Sequence, residues 1–251
     1  MKHVLAREQA KLLSQYARSK VLLAFDFDGT LAPIVVNRQA ASMRKSTRLL
    51  LEQVSQVYPC AVISGRSRSD TLRRMGSIKL SEVIGNHGLE PGNTARHMRQ
   101  MTAVLPVLRR HLRGVPGVDI ENKRLSISIH YRKARAKRRT AAAIRAAIAE
   151  LSVPARVIFG KQLVNVLPSD APGKGYALEK LRKKLRVERA MYVGDDLTDE
   201  DVFSSKQADL LGVRIGRPKT SAASYFLRDQ REIDRLLKRM LMLRRGQLEV
   251  E

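Results

Sequence analysis

The feature that most constrains the fold is a series of short strand-like runs separated by helix-like segments. Three runs come early, at residues 21–25, 60–63 and 82–84, and two come late, at 190–193 and 211–215. Helix-like spacing of apolar residues is found at 4–18, 43–57, 69–75, 175–185, 199–206 and 230–243. Alternation of strand and helix predicts an α/β core around a parallel sheet.

The middle of the chain follows a different pattern. Helix-like segments at 94–112 and 134–151 alternate with pairs of strand-like runs, at 118–121 and 125–131 and at 156–159 and 163–167. The runs of each pair are joined by short turns, 122–124 and 160–162, which indicate hairpins. We therefore expect residues 94–168 to form an inserted α+β domain with an antiparallel sheet, and residues 1–93 and 169–251 to form the core.

Length and composition exclude several classes of protein. A chain of 251 residues with 43% hydrophobic residues supports one large domain, or a core with a smaller insert, and argues against disorder. The single cysteine, Cys60, has no partner for an internal disulfide and lies in an apolar run typical of a core. The run 21–25 is far too short to span a membrane. We expect a cytoplasmic monomer with no membrane partner.

Three polar motifs follow predicted core strands directly, where open parallel sheets bind their ligands. The first is Asp26-Phe27-Asp28-Gly29-Thr30, the second is Ser64-Gly65-Arg66, and the third contains Asp195, Asp196 and Asp199. Lys174 opens the helix before the third strand. Each motif alone is common in turns and helix caps, so only their combination points to a site.

The chemistry of this combination favours phosphoryl transfer. Carboxylates converging on one sheet edge repel one another unless a hard cation lies among them, and Mg²⁺ is the natural candidate. Asp26 can then attack phosphorus, while Ser64 and Lys174 hold the phosphoryl oxygens. Asp28 can protonate the leaving oxygen and later activate water.

These motifs, in this order, resemble the haloacid dehalogenase superfamily of aspartate-nucleophile phosphatases. The resemblance implies a doubly wound core with a type-two cap inserted at 94–168. It implies Asp26 as nucleophile, Asp28 as acid and base, and Ser64 and Lys174 as phosphate-binding residues. The implied magnesium ligands are Asp26, Asp28 and Asp195, with Asp196 and Asp199 acting through water or from further out.

A narrower resemblance is to the trehalose-6-phosphate phosphatases. It rests on 26–34, on Gly-Asn-His-Gly-Leu-Glu at 85–90, on Glu121-Asn122-Lys123 followed by His130-Tyr131-Arg132, and on 194–201. The resemblance implies hydrolysis of trehalose 6-phosphate. It implies that the substrate-binding residues are Thr30, Gly65, Arg66, His87, Glu121, Lys123, His130, Arg132 and Asn165.

One position departs from that family. In the last strand of the insert the family usually has a glutamate followed two residues later by Arg or Lys, whereas this chain has Asn165 and Leu167. An amide binds sugar hydroxyls but lacks the charge-assisted acceptor of a carboxylate. The alternative is therefore the same reaction on another sugar phosphate or a glycosyl-phosphoglycerate.

The charge leaves a second alternative of a different class. Lys and Arg number 48 against 24 Asp and Glu, a net charge of +24 that attracts anions. The basic run 132–139 is a candidate nucleic-acid site, but it lacks neighbouring aromatic residues, so we interpret it as the solvated start of a helix with no specific nucleic-acid partner. A polyanion-binding protein on a phosphatase scaffold remains the alternative. The basic segment 230–243 is expected to dock on the core through its leucines.

Overall fold

The structure is a computed structural model that describes residues 1–35, 37–92, 94–160, 162–205 and 207–248. It contains two compact units. Unit 1 comprises Met1–Gly88 and Gly173–Glu251, and unit 2 comprises Leu89–Pro172. Asn93, the last residue of the predicted first core segment, lies outside the described residues. None of the helices in the described ranges combines the length and apolarity that a bilayer crossing requires.

Unit 1 is built on a parallel sheet. Its strands are β1 (Lys2–His3), β2 (Val21–Phe25), β3 (Cys60–Ile63), β4 (Glu82–Ile84), β9 (Arg189–Gly194), β10 (Leu210–Ile215) and β11 (Tyr225–Leu227). They lie in the order β1-β11-β10-β9-β2-β3-β4, and each neighbouring pair is parallel. The predicted parallel core is confirmed, with β2 between β3 and β9.

Helices cover both faces of this sheet. They are α1 (Ala10–Arg18), α2 (Lys45–Val57), α3 (Arg68–Met75), α6 (Gly173–Leu185), α7 (Glu200–Phe203) and α8 (Glu232–Leu248). Alternate residues of β2 point to opposite sides: Leu23 packs with residues of α1, α2 and α8, and Leu22 packs with residues of α6 and α7. The predicted doubly wound architecture is therefore confirmed. So is the docking of the basic C-terminal segment, because Leu236, Leu237 and Met240 are buried.

Several predicted bounds of unit 1 are wrong. The helix expected at 4–18 begins only at Ala10, because Lys2 and His3 pair with β11 and Arg7–Gln9 form a 3-10 turn. The helix expected at 199–206 is the four-residue α7, and Lys206 lies outside the described residues. Strands β1 and β11 were not predicted, since two or three residues carry too little periodicity to be recognised.

Unit 2 has the predicted order of elements and an antiparallel sheet. The helices are α4 (Ala95–His111) and α5 (Lys137–Ala149), and the strands are β5 (Asp119–Asn122), β6 (Ile127–His130), β7 (Ala155–Gly160) and β8 (Leu163–Pro168). The strand order is β5-β6-β8-β7, with every pair antiparallel. Lys161, in the predicted second turn, lies outside the described residues.

Both helices of unit 2 pack against the same face of its sheet. Met101 and Leu108 of α4 and Ile144 of α5 share one buried cluster with Ile129 and Val164 of the strands. Because side chains alternate along a strand, residues one position away from Ile129 or Val164 point to the other face. The two faces of this sheet therefore carry different chemistry.

Candidate active site

The strongest contact of the predicted site joins Lys174 to two carboxylates. Its ammonium nitrogen lies 2.9 Å from Asp26 Oδ1 and 2.8 Å from Asp199 Oδ1. Asp26 follows β2, Asp199 lies in the turn after β9, and Lys174 is in the first turn of α6. All three side chains are buried, with 7% or less of each exposed. A buried cation between two buried anions satisfies charges that would otherwise be costly.

Burial shifts the protonation of this group. Burial raises the pKa of Asp26 to about 7, against the opposing charge of Lys174 and with the charge of Asp199 adding to the effect of burial. Burial also raises the pKa of Asp195 well above its ordinary value, with the charges of Asp26 and Asp199 adding to the effect. Burial lowers the pKa of Lys174, but the charges of Asp199 and Asp26 outweigh it and raise that pKa overall. Lys174 is therefore an ammonium.

Asp199 accepts four hydrogen bonds. Its Oδ1 accepts from Lys174 and from the hydroxyl of Tyr192 at 2.6 Å, and its Oδ2 accepts from the backbone N–H groups of Asp195 and Asp196. These donors occupy its lone pairs. Asp199 therefore anchors Lys174 and the turn at 194–196.

Tyr192 is a contact that the sequence analysis missed. It is fully buried in β9. A tyrosine in a strand predicted to be apolar was the available signal, because a buried phenol hydroxyl needs a hydrogen-bond partner.

Three carboxylates lie close enough to hold a metal ion. Oxygens of Asp26, Asp195 and Asp199 lie within 4.8 Å of one another. Glycine at position 29 makes this possible, because its φ is +84° and a Cβ there would come within 2.0 Å of Asp195 Oδ2. Thr30 Oγ1 also reaches Asp195, at 3.5 Å. Since the oxygens of Asp199 are already engaged, Asp26 and Asp195 are the two with capacity for a cation.

Asp28 lies outside this group of three and is held by Arg66. Nε and Nη2 of Arg66 donate to the two oxygens of Asp28 at 2.6 and 2.7 Å. The same guanidinium donates to Asp70 at 2.8 Å and to the carbonyl of Arg38. A fork of this kind fixes the direction of a carboxylate. The structure thus places Arg66 against the carboxylate of Asp28. Asp70 holds the same guanidinium in place and was not among the predicted residues.

Ser64, Gly65 and His87 lie in two loops that are bonded together. The backbone N–H of His87 donates to the carbonyl of Ser64 at 3.0 Å, and that of Asn86 donates to the carbonyl of Arg66 at 2.7 Å. The His87 ring lies over Gly65, where a Cβ would meet it at 2.5 Å. Ser64 is buried, and its Oγ accepts from the N–H of Arg66. These residues form one rigid loop pair at the ends of β3 and β4.

In unit 2, the structure brings three of the predicted residues into contact. His130 Nε2 lies 2.9 Å from Glu121 Oε2, and Lys123 Nζ lies 3.8 Å from the same oxygen. Glu121 and His130 are on the face of the sheet opposite α4 and α5, because their neighbours Ile120 and Ile129 pack on the helix side. These side chains are partly exposed, so the cluster is accessible.

Asn165 extends this polar face. It is opposite Ser128, which is opposite Glu121 in the next strand, so the three form a row across the sheet. The Ser128 hydroxyl donates to Asn165 Oδ1 at 2.6 Å, and both residues are buried. Arg132 is exposed in the turn after β6, and its carbonyl accepts from Lys137. Ser128 was not selected from the sequence.

Comparison with known proteins decides the family. The sequence model described as Trehalose-phosphatase matches residues 24–231, which include every residue of the site described above. This chain belongs to the trehalose-phosphatase family. It is thereby a member of the haloacid dehalogenase superfamily, as its motifs predicted.

Relatives in the trehalose-phosphatase family cover nearly the whole chain. Trehalose 6-phosphate phosphatase RA3 of Zea mays is 30% identical over 274 aligned positions, covering 95% of this chain and 75% of its own. Probable trehalose-phosphate phosphatase 4 of Oryza sativa subsp. japonica is 29% identical over 267 positions, covering 97% and 72%.

A solved structure shares the fold. The C-terminal domain of a trehalose-6-phosphate phosphatase from C. albicans has a TM-score of 0.80 at 22% identity, covering 93% of this chain and 96% of that one. The relatives in this trehalose-phosphatase family are named as phosphatases, so the predicted enzyme class, phosphoric monoester hydrolase, is confirmed.

Proposed function

We propose that this protein hydrolyses trehalose 6-phosphate to trehalose and phosphate, with Mg²⁺ and through a phosphorylated Asp26. The observation that carries the proposal is the buried contact of Lys174 with Asp26 and Asp199. It places a fixed cation beside a carboxylate at the end of a parallel strand. The family match and the named relatives support the substrate.

The reaction has two steps. In the first, an oxygen of Asp26 attacks phosphorus, the bond between phosphorus and the sugar oxygen breaks, and Asp28 gives its proton to that oxygen. In the second, Asp28 takes a proton from water, the water oxygen bonds to phosphorus, and the bond to Asp26 breaks. The ammonium of Lys174 balances the charge of the transferring group.

The residues present suit Mg²⁺, which prefers carboxylate and carbonyl oxygens and retains several waters. Asp26 and Asp195 would hold it through carboxylates, and Asp28 would add its backbone carbonyl. When bound, the metal neutralises charge on phosphoryl oxygens. Asp199 acts further out, since Lys174, Tyr192 and two backbone amides already engage it. Asp196 is also assigned an indirect role, and its backbone N–H donates to Asp199.

Arg66 is best assigned as a positioning residue. Its Nε and Nη2 hold both oxygens of Asp28, while Nη1 is on Asp70. These contacts fix the orientation of the Asp28 carboxyl group and leave the guanidinium little capacity for a phosphate. Ser64 and Gly65 of the loop are the better phosphate contacts, since the N–H of Arg66 already donates to Ser64 Oγ, and Thr30 and His87 are further candidates.

Unit 2 supplies the sugar-binding residues in this proposal, and 94–168 acts as the cap that selects the substrate. Glu121, Lys123 and His130 form one accessible polar cluster, which suits sugar hydroxyls. Arg132 is exposed in the turn after β6, the strand that carries His130. The pairing of a carboxylate with two nitrogen donors gives both acceptors and donors to a disaccharide.

Asn165 supports a second candidate, another sugar phosphate or a glycosyl-phosphoglycerate. Its Oδ1 accepts from Ser128, so the amide nitrogen is the group that remains for a ligand. A nitrogen donor selects an acceptor on the substrate, whereas the family's usual glutamate selects a hydroxyl donor. The second candidate therefore differs from the first in the substrate and not in the chemistry.

The test measures phosphate release by the purified protein, with Mg²⁺ and with EDTA. The substrates are trehalose 6-phosphate, sucrose 6-phosphate, glucose 6-phosphate, a glycosyl-phosphoglycerate and an aryl phosphate. We expect trehalose 6-phosphate to give the highest kcat/KM and EDTA to abolish release. Equal turnover of many sugar phosphates contradicts the substrate, and full activity of a folded Asp26→Asn variant contradicts the nucleophile.

A monomeric state and a cytoplasmic location stay predictions from the sequence. Light scattering after size exclusion tests the first, and fractionation of cells that produce the protein tests the second.

A further inference from the structure

Two long segments of unit 2 contain no acidic residue. Residues 91–118 and 122–149 contain 14 Lys and Arg residues, 11 of them Arg, and no Asp or Glu. These two segments include all of α4 and α5, which pack side by side on one face of the sheet. No ion pair between side chains of these two helices is therefore possible. The basic run at 132–139 lies in the second of these segments.

The charge lies on the outer side of the helices. Their inner residues, such as Met101, Leu108 and Ile144, are buried against the sheet. Arginines on the remaining sides are exposed. We define the arginine surface by six exposed residues, of which five are on α4 and α5 and Arg135 lies just before α5: Arg99, Arg109, Arg110, Arg135, Arg138 and Arg139.

The positive charge at the start of α5 opposes the dipole of that helix. Lys137, Arg138 and Arg139 begin α5, where the helix dipole favours acidic residues, and no acidic residue is present there. Like charges on neighbouring helices also repel. In unit 1, by contrast, helix cations pair with acids one turn away, as Lys183 does with Glu179 and Arg74 with Asp70. A cost to stability that the fold does not require points to a ligand.

We propose that the arginine surface binds the phosphate backbone of double-stranded nucleic acid without reading its bases. Guanidinium groups bind phosphates through two parallel hydrogen bonds, and 11 of the 14 cations are Arg. The 17 residues of α4 extend over roughly 25 Å, which faces several phosphates of a duplex. Such contacts give affinity and no sequence selectivity.

The surroundings favour a duplex over two other anions. A membrane-bound helix presents apolar side chains to lipid, but the large exposed apolar residues of the described chain lie outside α4 and α5. Single strands bind by stacking on exposed aromatic rings, and neither helix contains Phe, Tyr or Trp. Of the three anions, a duplex is therefore the one that this surface suits, because a duplex can be bound through its phosphates by charge alone.

This surface is separate from the polar cluster of unit 2. Glu121 and His130 lie on the opposite face of the sheet from α4 and α5. Binding at the arginine surface and turnover are therefore measured independently, and failure of one leaves the other standing.

The experiment titrates the full chain into two fluorescent 20-base-pair duplexes of unrelated sequence at several salt concentrations. We expect equal affinities within about threefold and a steep loss of affinity with salt, since each phosphate contact contributes about 0.9 to the slope of log K on log salt. The triple variant Arg135→Gln, Arg138→Gln, Arg139→Gln should bind at least tenfold more weakly, with a slope smaller by about 2 to 3.

The matched control is Lys180→Gln, Lys238→Gln, Arg239→Gln, which removes the same charge from exposed positions of unit 1. We expect its affinity to stay within threefold of the unchanged protein. Equal weakening by both triple variants overturns the proposal, because net charge alone would then explain binding. Tighter binding to vesicles with 30% phosphatidylserine overturns it too. Thermal unfolding and aryl phosphate turnover verify that each variant is folded.

Discussion

The ammonium nitrogen of Lys174 lies 2.9 Å from an oxygen of Asp26, although 148 positions separate the two residues in the chain. With Asp199 on its other side, Lys174 is a buried cation whose partners are both buried anions. Removing it leaves two carboxylates of the same charge close together in a region with little water. Stability and chemistry therefore depend on the same three side chains.

Lys174→Met should abolish turnover. It should also lower the free energy of unfolding by about 3–5 kcal/mol, the usual cost of removing one partner of a buried ion pair. Urea unfolding and phosphate release measure the two effects. The control is Lys184→Met, whose cation pairs with Glu82 at an exposed position and should cost less than about 1 kcal/mol. A fully active Lys174→Met protein contradicts the assigned role.

Tyr192→Phe removes one hydrogen bond to Asp199 and no other contact of the site. We expect kcat to fall about tenfold, the effect of roughly 1.4 kcal/mol, with KM unchanged, because Tyr192 acts through Asp199 and Lys174 and does not touch the substrate.

Tyr58→Phe is the matched control for this prediction. Its buried hydroxyl donates to the carbonyls of Ala17 and Met240, so its loss should lower stability and leave kcat as it is. Combining Tyr192→Phe with Asp199→Asn should cost little more than Asp199→Asn alone. Additive losses show that Tyr192 does not act through Asp199.

Gly29→Ala should weaken Mg²⁺ binding at least tenfold and reduce turnover in proportion. The new methyl group would lie 2.0 Å from Asp195 Oδ2, so the carboxylate must move. Gly216→Ala is the control, since Gly216 has a similar φ of +79° but nothing within 4 Å of the added carbon. Both variants carry the same backbone strain of about 1–2 kcal/mol. Only Gly29→Ala should change the Mg²⁺ titration.

Arg66→Lys separates two roles for Arg66. If Arg66 positions Asp28, the loss of the bidentate hydrogen bonds to Asp28 lowers kcat by about 10- to 100-fold and changes KM little. If it binds substrate directly, KM rises instead. Arg68→Lys serves as the control, because Arg68 contacts Glu82 and the carbonyl of Val83.

Glu232→Gln should lower stability at neutral pH by about 1–2 kcal/mol, an effect that disappears in acid. Burial opposes the ionised form of Glu232, but the backbone N–H of Arg228 and the side chain of His3 outweigh it and lower its pKa. A lowered pKa stabilises the fold above the ordinary glutamate value, and this is lost as the pH falls through the folded value. Unfolding at pH 7 and pH 3 tests the prediction, and an equal difference at both pH values contradicts it.

Much of the fold was predictable because its central elements carry strong local signals. Strand β3 was predicted at Cys60–Ile63 and β4 at Glu82–Ile84, with the bounds the structure has. Strands β1 and β11 were missed, since β1 is defined only by its pairing with β11, and β11 by its pairing with β1 and β10. Pairing between residues more than 200 positions apart leaves no periodicity in either segment.

The candidate site was likewise predicted in part and missed in part. Motifs at strand ends predicted Asp26 and Asp199, and the start of the helix before β9 predicted Lys174. The structure brings the three side chains together. The motifs did not predict that Asp28 would be held by Arg66, because which of two neighbouring carboxylates a guanidinium contacts depends on side-chain geometry. Tyr192 and Ser128 were missed because the strand pattern does not indicate their hydrogen-bond partners, Asp199 and Asn165.

The order of strands in unit 1 also sets an order of assembly during synthesis. Strand β2 has β3 on one side and β9 on the other, and β9 is made only after all of unit 2. Unit 2 is contiguous in the chain, so its four strands can pair while β2 still lacks its second neighbour, β9. A nascent chain halted before residue 189 would therefore expose one edge of β2, a target for chaperones, and would lack Asp195 and Asp199 entirely.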